Sequence, residues 1–189
     1  MNMERAELSA GAAVVIALLY CIGGLRAILA LLPAVAVHEL GHIAALRSFG
    51  LRIRSIRPDV QGLCIRYSGR ATAAGELLAA LSGPAAGLLY AAAVSLLADR
   101  LASDTLILSA GLSFLYSAFN LLPALPLDGG RALRILLTAW LGERRGASVT
   151  AAVSLLTGAA LLLVGAWLLW HERGAAVLAA GAWIVIMNN

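Results

Sequence analysis

The chain has 189 residues, a formal net charge of +4 at pH 7 and a hydrophobic residue content of 61%. Soluble domains contain about 45–50% apolar residues, so this composition excludes an ordinary soluble globular protein. The basic residues are all arginines that flank apolar blocks, which indicates membrane orientation rather than nucleic-acid binding. Cys21 and Cys64 lack a metal-binding or redox spacing, and we expect two unpaired thiols.

Six apolar spans follow one another along the chain, and a helix of about 20 apolar residues crosses the hydrocarbon core of a bilayer. They cover residues 8–25, 27–49, 72–97, 105–122, 147–170 and 174–187, with a short amphipathic segment at 132–141. The sequence therefore predicts an all-α polytopic membrane protein with about six transmembrane helices. We expect a single membrane-embedded domain over residues 1–189.

The arginines are unequally distributed between the two sides that six spans would create. One side holds both termini and the segments after spans two and four, and it carries Arg5, Arg47, Arg52, Arg54, Arg57, Arg66, Arg70, Arg131, Arg134, Arg144 and Arg145. The other side carries Arg26, Arg100 and Arg173. Because positive residues stay in the cytoplasm, we expect a multi-pass protein of the cell membrane with both termini cytoplasmic. Residues 38–42 and the segment after span four would then lie toward the cytoplasmic side.

The second span contains the sequence HELGH at residues 38–42. A helix places His38 and His42 on one face, one turn apart. This is the HExxH pattern of zinc hydrolases, in which two imidazoles bind the metal and the carboxylate, here Glu39, takes a proton from the attacking water. A charged carboxylate at the bilayer centre costs about 2.5–3.5 kcal/mol on the insertion scale. Ordinary core histidines would not explain three ionisable residues within five positions, so the pattern predicts a zinc site.

Catalytic zinc takes three protein ligands and keeps a fourth position for water. The strongest candidate for the third ligand is Asp128, in the sequence NLLPALPLDGG. Glu76, near the start of span three, is a weaker candidate, and His171 belongs to a loop on the opposite side. An aspartate before two glycines is by itself a turn signal. Together with HExxH, the pattern favours Asp128 as a ligand.

The segment before Asp128 is rich in proline. Pro123 and Pro126 remove backbone donors and block a regular helix. Unwound backbone at membrane depth is tolerated only where it is buried in protein or lines a wet cavity, and hydrolysis requires water at the metal. Asn120 could offer its amide to a substrate backbone or to a neighbouring helix, and the sequence does not separate these two roles.

HELGH on a membrane helix, SGP on a later helix and NLLPALPLDGG at the end of another resemble the site-2 protease family of intramembrane zinc metalloproteases, peptidase family M50. The resemblance covers roughly residues 29–134. It implies a three-helix catalytic core at about 27–134, with accessory helices at about 8–25 and 147–187. It also implies site roles, with Zn²⁺ on His38, His42 and Asp128, Glu39 as the catalytic base, and Asn120, Pro123 and Pro126 beside the substrate.

The resemblance further implies the reaction and its partners. Members of the family hydrolyse peptide bonds in or near transmembrane segments of membrane-anchored proteins, such as a transcription-factor precursor or an anti-sigma factor, in regulated intramembrane proteolysis. We expect neither a PDZ insertion nor a CBS domain, which is similar to the compact group that includes the stage IV sporulation protease. The expected surroundings are the lipid bilayer and no nucleic acid, and a regulatory membrane partner or a homo-oligomer is compatible with the sequence. The active-site side would be cytoplasmic.

An alternative function is metal binding in the membrane without proteolysis, as in a transporter or a regulatory pseudoprotease. A transporter would carry polar residues across the bilayer, whereas spans one, three and five contain few. This pattern disfavours transport and leaves the protease as the favoured function.

Two further segments carry structural signals. Residues 51–57, LRIRSIR, alternate partly between apolar and basic residues, and residues 62–68 could pair with them across Pro58 and Asp59 as a small β-hairpin. This resembles the β-elements of the family, where a strand edge could hold a substrate as an added strand; a basic loop beside lipid headgroups is an equal alternative. Gly83 and Gly87 in SGPAAG indicate close helix packing rather than chemistry, with Pro84 loosening the helix locally.

Overall fold

The computed structural model describes residues 10–59, 62–69, 71–172 and 175–189. Most of these residues are helical, as the sequence predicts. The elements in chain order are α1 (Ala10–Ser48), β1 (Arg52–Asp59), β2 (Gly62–Ser68), α2 (Ala73–Leu101), α3 (Asp104–Asn120), α4 (Asp128–Leu141), α5 (Glu143–Trp170) and α6 (Ala175–Asn188). The chain forms two compact units, Met1–Ala118 and Phe119–Asn189.

Helix α1 is interrupted at Gly24, where φ is 62° and ψ is −166°. Glycine adopts a positive φ without the steric penalty of a Cβ atom, so the chain can change direction here. The predicted boundary between the first two spans lies at this position. The part of α1 that follows, Gly24–Ser48, is long and apolar enough to cross a membrane.

Strands β1 and β2 pair antiparallel, from Arg52 opposite Ser68 to Asp59 opposite Gly62, with an irregularity between Ile53 and Ser55. The sequence predicted Pro58 and Asp59 as the connection, but both belong to β1. Proline is compatible with the end of an edge strand because it withdraws only one backbone donor.

Helices α1, α2 and α3 of the first unit are joined by hydrogen bonds from a single serine. The Ser109 hydroxyl donates to the Ala30 carbonyl oxygen at 2.7 Å. Because that hydroxyl has one proton, the Tyr90 hydroxyl, 2.9 Å away, donates to Ser109 Oγ. These bonds join α3 to both α1 and α2 in an interior of small residues.

Helix α2 begins after Thr72, whose hydroxyl accepts from the Gly75 N–H at 3.1 Å and so satisfies one of the free donors of the first turn. The helix continues through Pro84 to Leu101. Gly83 and Gly87 lie against other helices, as the sequence predicts: a Cβ at Gly87 would overlap the Ser117 hydroxyl of α3. Lipid tails are as apolar as the helix surfaces, so no hydrophobic force drives membrane helices together. Such helices associate instead through close packing of this kind.

In the second unit, helices α5 and α6 pack closely through glycines. A Cβ at Gly165 would overlap the backbone of Leu178, and one at Gly181 would lie 2.7 Å from the Leu162 nitrogen. Ala124, Leu127 and Ile184 form a buried apolar cluster at the turn before α4. The predicted amphipathic segment, residues 132–141, belongs to α4, which begins four residues earlier, at Asp128.

Three helical segments among the described residues have the length and composition to cross a membrane: Gly24–Ser48, Ala73–Leu101 and Glu143–Trp170. They correspond to predicted spans two, three and five. Helix α6 is a shorter apolar helix, and α3 has 17 residues. Large apolar side chains such as Leu89, Leu96 and Leu163 face outward, and an exposed apolar surface of this kind suits a lipid environment.

Candidate metal centre

The two histidines of HELGH lie together on α1. The Nε2 atoms of His38 and His42 are 3.3 Å apart. The side chain of His38 is buried, with 1% of its residue surface exposed, and that of His42 is partly buried. The spacing of four residues brings both rings to one face of the helix, as the sequence predicts.

The His42 ring is oriented by the backbone of α2. Its Nδ1 atom lies 2.8 Å from the Ala79 carbonyl oxygen. A carbonyl oxygen only accepts hydrogen bonds, so Nδ1 carries the proton and donates it. In the neutral ring Nε2 therefore keeps its lone pair, which is the arrangement found in metal-binding histidines whose other nitrogen is held by a carbonyl.

The separation of the two Nε2 atoms fits a shared zinc ion. Two nitrogens that each lie about 2.0–2.1 Å from a tetrahedral zinc ion are about 3.3–3.4 Å apart. The observed separation is 3.3 Å. Imidazole nitrogen is a preferred zinc ligand, so this pair fits zinc in both distance and donor chemistry.

Gly83 of α2 provides the space for the His42 ring. A Cβ atom at this position would overlap the imidazole. One turn earlier, Ala79 accepts the hydrogen bond from the same ring. The sequence predicted Gly83 as a helix-packing residue but did not predict that it packs against a candidate ligand.

Tyr116 of α3 lies against His38. The two rings are 4.8 Å apart between centroids, with an interplanar angle of 67°. This is an edge-to-face contact, which favours one ring orientation. Tyr116 is not predicted by the sequence, because a single aromatic residue in an apolar span carries no signal of a functional contact.

Glu39 follows His38 directly and is buried, with 6% of its surface exposed. Leu40, the next residue, is exposed. In an HExxH helix the glutamate lies beside the metal and acts on water rather than binding the ion. The burial of Glu39 beside a candidate ligand is the arrangement that this role requires.

Asp128 is the first residue of α4 and is also 6% exposed. A carboxylate is favoured at a helix N-terminus, where backbone N–H groups concentrate positive partial charge. The Asp128 Oδ1 atom lies 3.8 Å from Nη1 of the more exposed Arg131. Cβ atoms at Gly129 and Gly130 would overlap the backbone at Leu121 and Ala124, so both glycines are required for the preceding turn to cross the start of the helix.

The turn between α3 and α4 is not helical, as its two prolines predict. Asn120 is the last residue of α3 and is buried. Backbone N–H groups of Leu122, Ala124 and Leu127 bond within the turn, to the oxygens of Phe119, Leu122 and Ala124. Pro123 is exposed, and the peptide bond between Leu125 and Pro126 is cis.

Comparison with known proteins shows which family the chain resembles. The model of peptidase family M50 matches residues 81–165, a range that includes the proline-rich turn and Asp128. Rip3 of Mycobacterium tuberculosis, whose name describes a zinc metalloprotease, is 33% identical over 146 residues, which is 72% of this chain and 36% of that protein. The chain is similar to peptidase family M50. It also carries the three sequence patterns on which the predicted resemblance rests.

Two further relatives come from Methanocaldococcus jannaschii. A zinc metalloprotease is 26% identical over 140 residues, or 71% of this chain and 41% of that protein. The solved structure of a site-2 protease superimposes with a TM-score of 0.73 at 22% identity, covering 94% of this chain and 84% of the other. The chain therefore has the fold of that site-2 protease. It spans less than half the length of the curated relatives it matches.

Proposed function

We propose that this chain is an intramembrane zinc metalloprotease that hydrolyses peptide bonds in or near transmembrane segments of membrane-anchored proteins. One observation carries the proposal. The two imidazoles of an HExxH sequence have Nε2 atoms 3.3 Å apart on an apolar helix that is long enough to cross a membrane. A match to a peptidase family model and relatives named as zinc metalloproteases support the same function.

The proposed ligands are His38, His42 and Asp128. The two histidines offer imidazole nitrogens and Asp128 a carboxylate oxygen, and zinc accepts both kinds of ligand atom. Three such ligands leave the open position that catalytic zinc requires. Zinc bound there would act as a Lewis acid that polarises a carbonyl group and makes water a stronger acid.

Glu39 is the proposed general base and general acid. Its carboxylate takes a proton from the attacking water as the water oxygen bonds to the scissile carbonyl carbon. When the carbon–nitrogen bond breaks, Glu39 passes that proton to the leaving amine nitrogen. Its burial excludes bulk water from this exchange, which strengthens the electrostatic interactions in the site.

The substrate is proposed to bind in an extended form. A helical substrate hides its peptide bonds in hydrogen bonds within the helix, so it must unwind before cleavage. An outer edge of the β1–β2 pair could add the substrate as a strand, and Asn120, Pro123 and Pro126 are proposed to hold the unwound segment. A membrane-anchored transcription-factor precursor or anti-sigma factor is the proposed class of substrate, and a regulatory membrane partner or self-association would control access.

We propose a single membrane-embedded domain with about six spans and a cytoplasmic active-site side. The uneven distribution of arginines supports this orientation. Three segments of sufficient length support a membrane location, and the remaining spans would come from residues 8–25, α3 and α6.

The test is cleavage of single-span membrane proteins by the purified chain in detergent. We expect the wild type to contain zinc and to cleave, and Glu39→Gln to retain zinc while losing cleavage by about 10²–10⁴-fold. Glu76→Gln is the matched control, because it removes a carboxylate on α2 that has no role in the proposed reaction, and it should cleave as the wild type does. Zinc binding without cleavage of any substrate would instead support the alternative of a metal-binding protein without protease activity.

A further inference from the structure

The backbone of Leu125, in the middle of the turn before α4, is held by side chains from two accessory helices. Its N–H donates to the Ser154 hydroxyl of α5 at 2.9 Å. Its carbonyl oxygen accepts from the Asn188 side-chain amide of α6 at 2.6 Å. Both polar groups of one peptide residue are therefore satisfied by α5 and α6, and we call these two bonds the Leu125 clamp.

The geometry of Ser154 leaves one role for its hydroxyl at the turn. Its proton goes to the Thr150 carbonyl oxygen, 2.8 Å away in the preceding turn of α5, so toward Leu125 the oxygen can only accept. Ser154 is fully buried, with 0% exposure. The Ser154 hydroxyl thus uses both its donor and its acceptor capacity in an otherwise apolar helix. Removing one of these partners would leave a buried polar group unsatisfied, which costs free energy of folding.

Asn188 also uses its side-chain amide nitrogen for two bonds. Its amide nitrogen donates to the Leu125 carbonyl oxygen and, at 2.8 Å, to the Ile184 carbonyl oxygen of its own helix. Ile184 also belongs to the buried cluster with Ala124 and Leu127, the residues that flank Leu125 and Pro126. Both the polar and the apolar contacts from α6 therefore fall within residues 124–127 of the turn.

The clamp bonds act on the turn, and the carboxylate that follows has a further support. Gly129 and Gly130 of α4 fit closely against the backbone at Leu121, Ala124 and Leu125, and these contacts hold the Asp128 end of α4 in addition to the clamp. Loss of a clamp bond would leave a backbone group of Leu125 without its partner and so release this peptide. The neighbouring Pro126 has no N–H group that could form a replacement bond. The start of α4 would keep its own packing.

We propose that Ser154 and Asn188 are positioning residues that set the shape of the turn at residues 121–127 for an extended substrate. The inference rests on the proposed function, because it assigns to the accessory helices the task of holding the substrate-binding turn. Neither residue contacts the reacting atoms. The expected signature of their loss is weaker substrate binding with the metal retained.

The test uses Ser154→Ala, which removes the acceptor, and Asn188→Asp, which keeps the shape of the side chain but replaces the donor with an oxygen. Two matched controls are available: Thr150→Val removes an equally buried hydroxyl that bonds only within α5, and Asn189→Ala changes the neighbouring asparagine. Each variant of the chain is purified in detergent. Hydrogen exchange at residues 121–127 is measured without zinc or substrate, and zinc content, KM and kcat are measured separately.

We expect both clamp variants, and neither control, to raise the exchange rate of the Leu125 amide by about tenfold or more. We also expect them to raise KM by about tenfold or more, with zinc content unchanged. Exchange equal to wild type would overturn the clamp, and raised exchange with unchanged KM would reduce it to a purely structural contact. If exchange responds as expected but the wild type neither binds zinc nor cleaves, the clamp stands as a mechanical feature and the proposed function fails.

Discussion

His42 donates from Nδ1 to the Ala79 carbonyl oxygen at 2.8 Å, across 37 residues of chain. One turn further along α2, Gly83 lies against the same ring. Helix α2 therefore fixes both the tautomer and the position of a proposed zinc ligand. The carbonyl decides which nitrogen carries the proton, and the missing side chain at Gly83 decides where the ring can lie.

Gly83→Ala should displace the His42 ring, because the added methyl group would occupy the space of the imidazole. We expect the zinc affinity of the purified protein to fall by about 10- to 100-fold, as for the loss of an outer-shell partner, in a competition assay with a chelator. Gly111→Ala is the control, since a Cβ there meets no atom within 4 Å. Wild-type affinity in Gly83→Ala would show that the ring position does not depend on this contact.

Ser109→Ala should destabilise the first unit without affecting the metal. The substitution removes the bond to Ala30 and leaves the Tyr90 hydroxyl without its acceptor, at a cost of about 1–3 kcal/mol. We expect a lower midpoint of thermal unfolding in detergent at unchanged zinc content. Ser95→Ala, on the exposed face of α2, should unfold as the wild type does, and equal midpoints for the two variants would refute the structural role of Ser109.

The proposed orientation can be tested with single cysteines in a background where Cys21 and Cys64 are serine. Position 48, changed in Ser48→Cys, lies at the end of the second span, and position 105, changed in Thr105→Cys, lies at the start of the fourth; both positions are exposed. In right-side-out vesicles, a membrane-impermeant maleimide should label position 105 directly and position 48 only after permeabilisation. The opposite pattern would reverse the orientation predicted from the arginines.

The sequence was most informative where a local pattern determines the structure. The break at Gly24 and the non-helical turn at Pro123 and Pro126 follow from the backbone preferences of glycine and proline. The meeting of His38 and His42 follows from the helical period. These features depend on residues close together in the chain.

The features that the sequence did not reveal depend on the register between distant elements. Which residue of α2 faces His42 is set by helix packing, so Gly83 carried only a general packing signal. Serine and asparagine often form packing contacts between membrane helices, so Ser154 and Asn188 carried no specific signal in the sequence. Only the fold brings them to Leu125. The β1 strand extends through Pro58 and Asp59 because the pairing with β2 continues to Gly62. Pro and Asp are turn-forming residues, so their sequence alone predicts a turn and not this pairing.

The most direct test of the central claim is X-ray absorption spectroscopy of the zinc-loaded protein, combined with metal analysis. The account predicts about one zinc per chain, with nitrogen and oxygen ligands at about 2.0–2.2 Å, a scattering pattern of two imidazoles and no sulfur. Asp128→Asn should lower zinc occupancy, whereas Asp104→Asn, at an exposed site, should not. Zinc bound through sulfur, or full occupancy in His38→Ala and His42→Ala, would contradict the proposed metal centre.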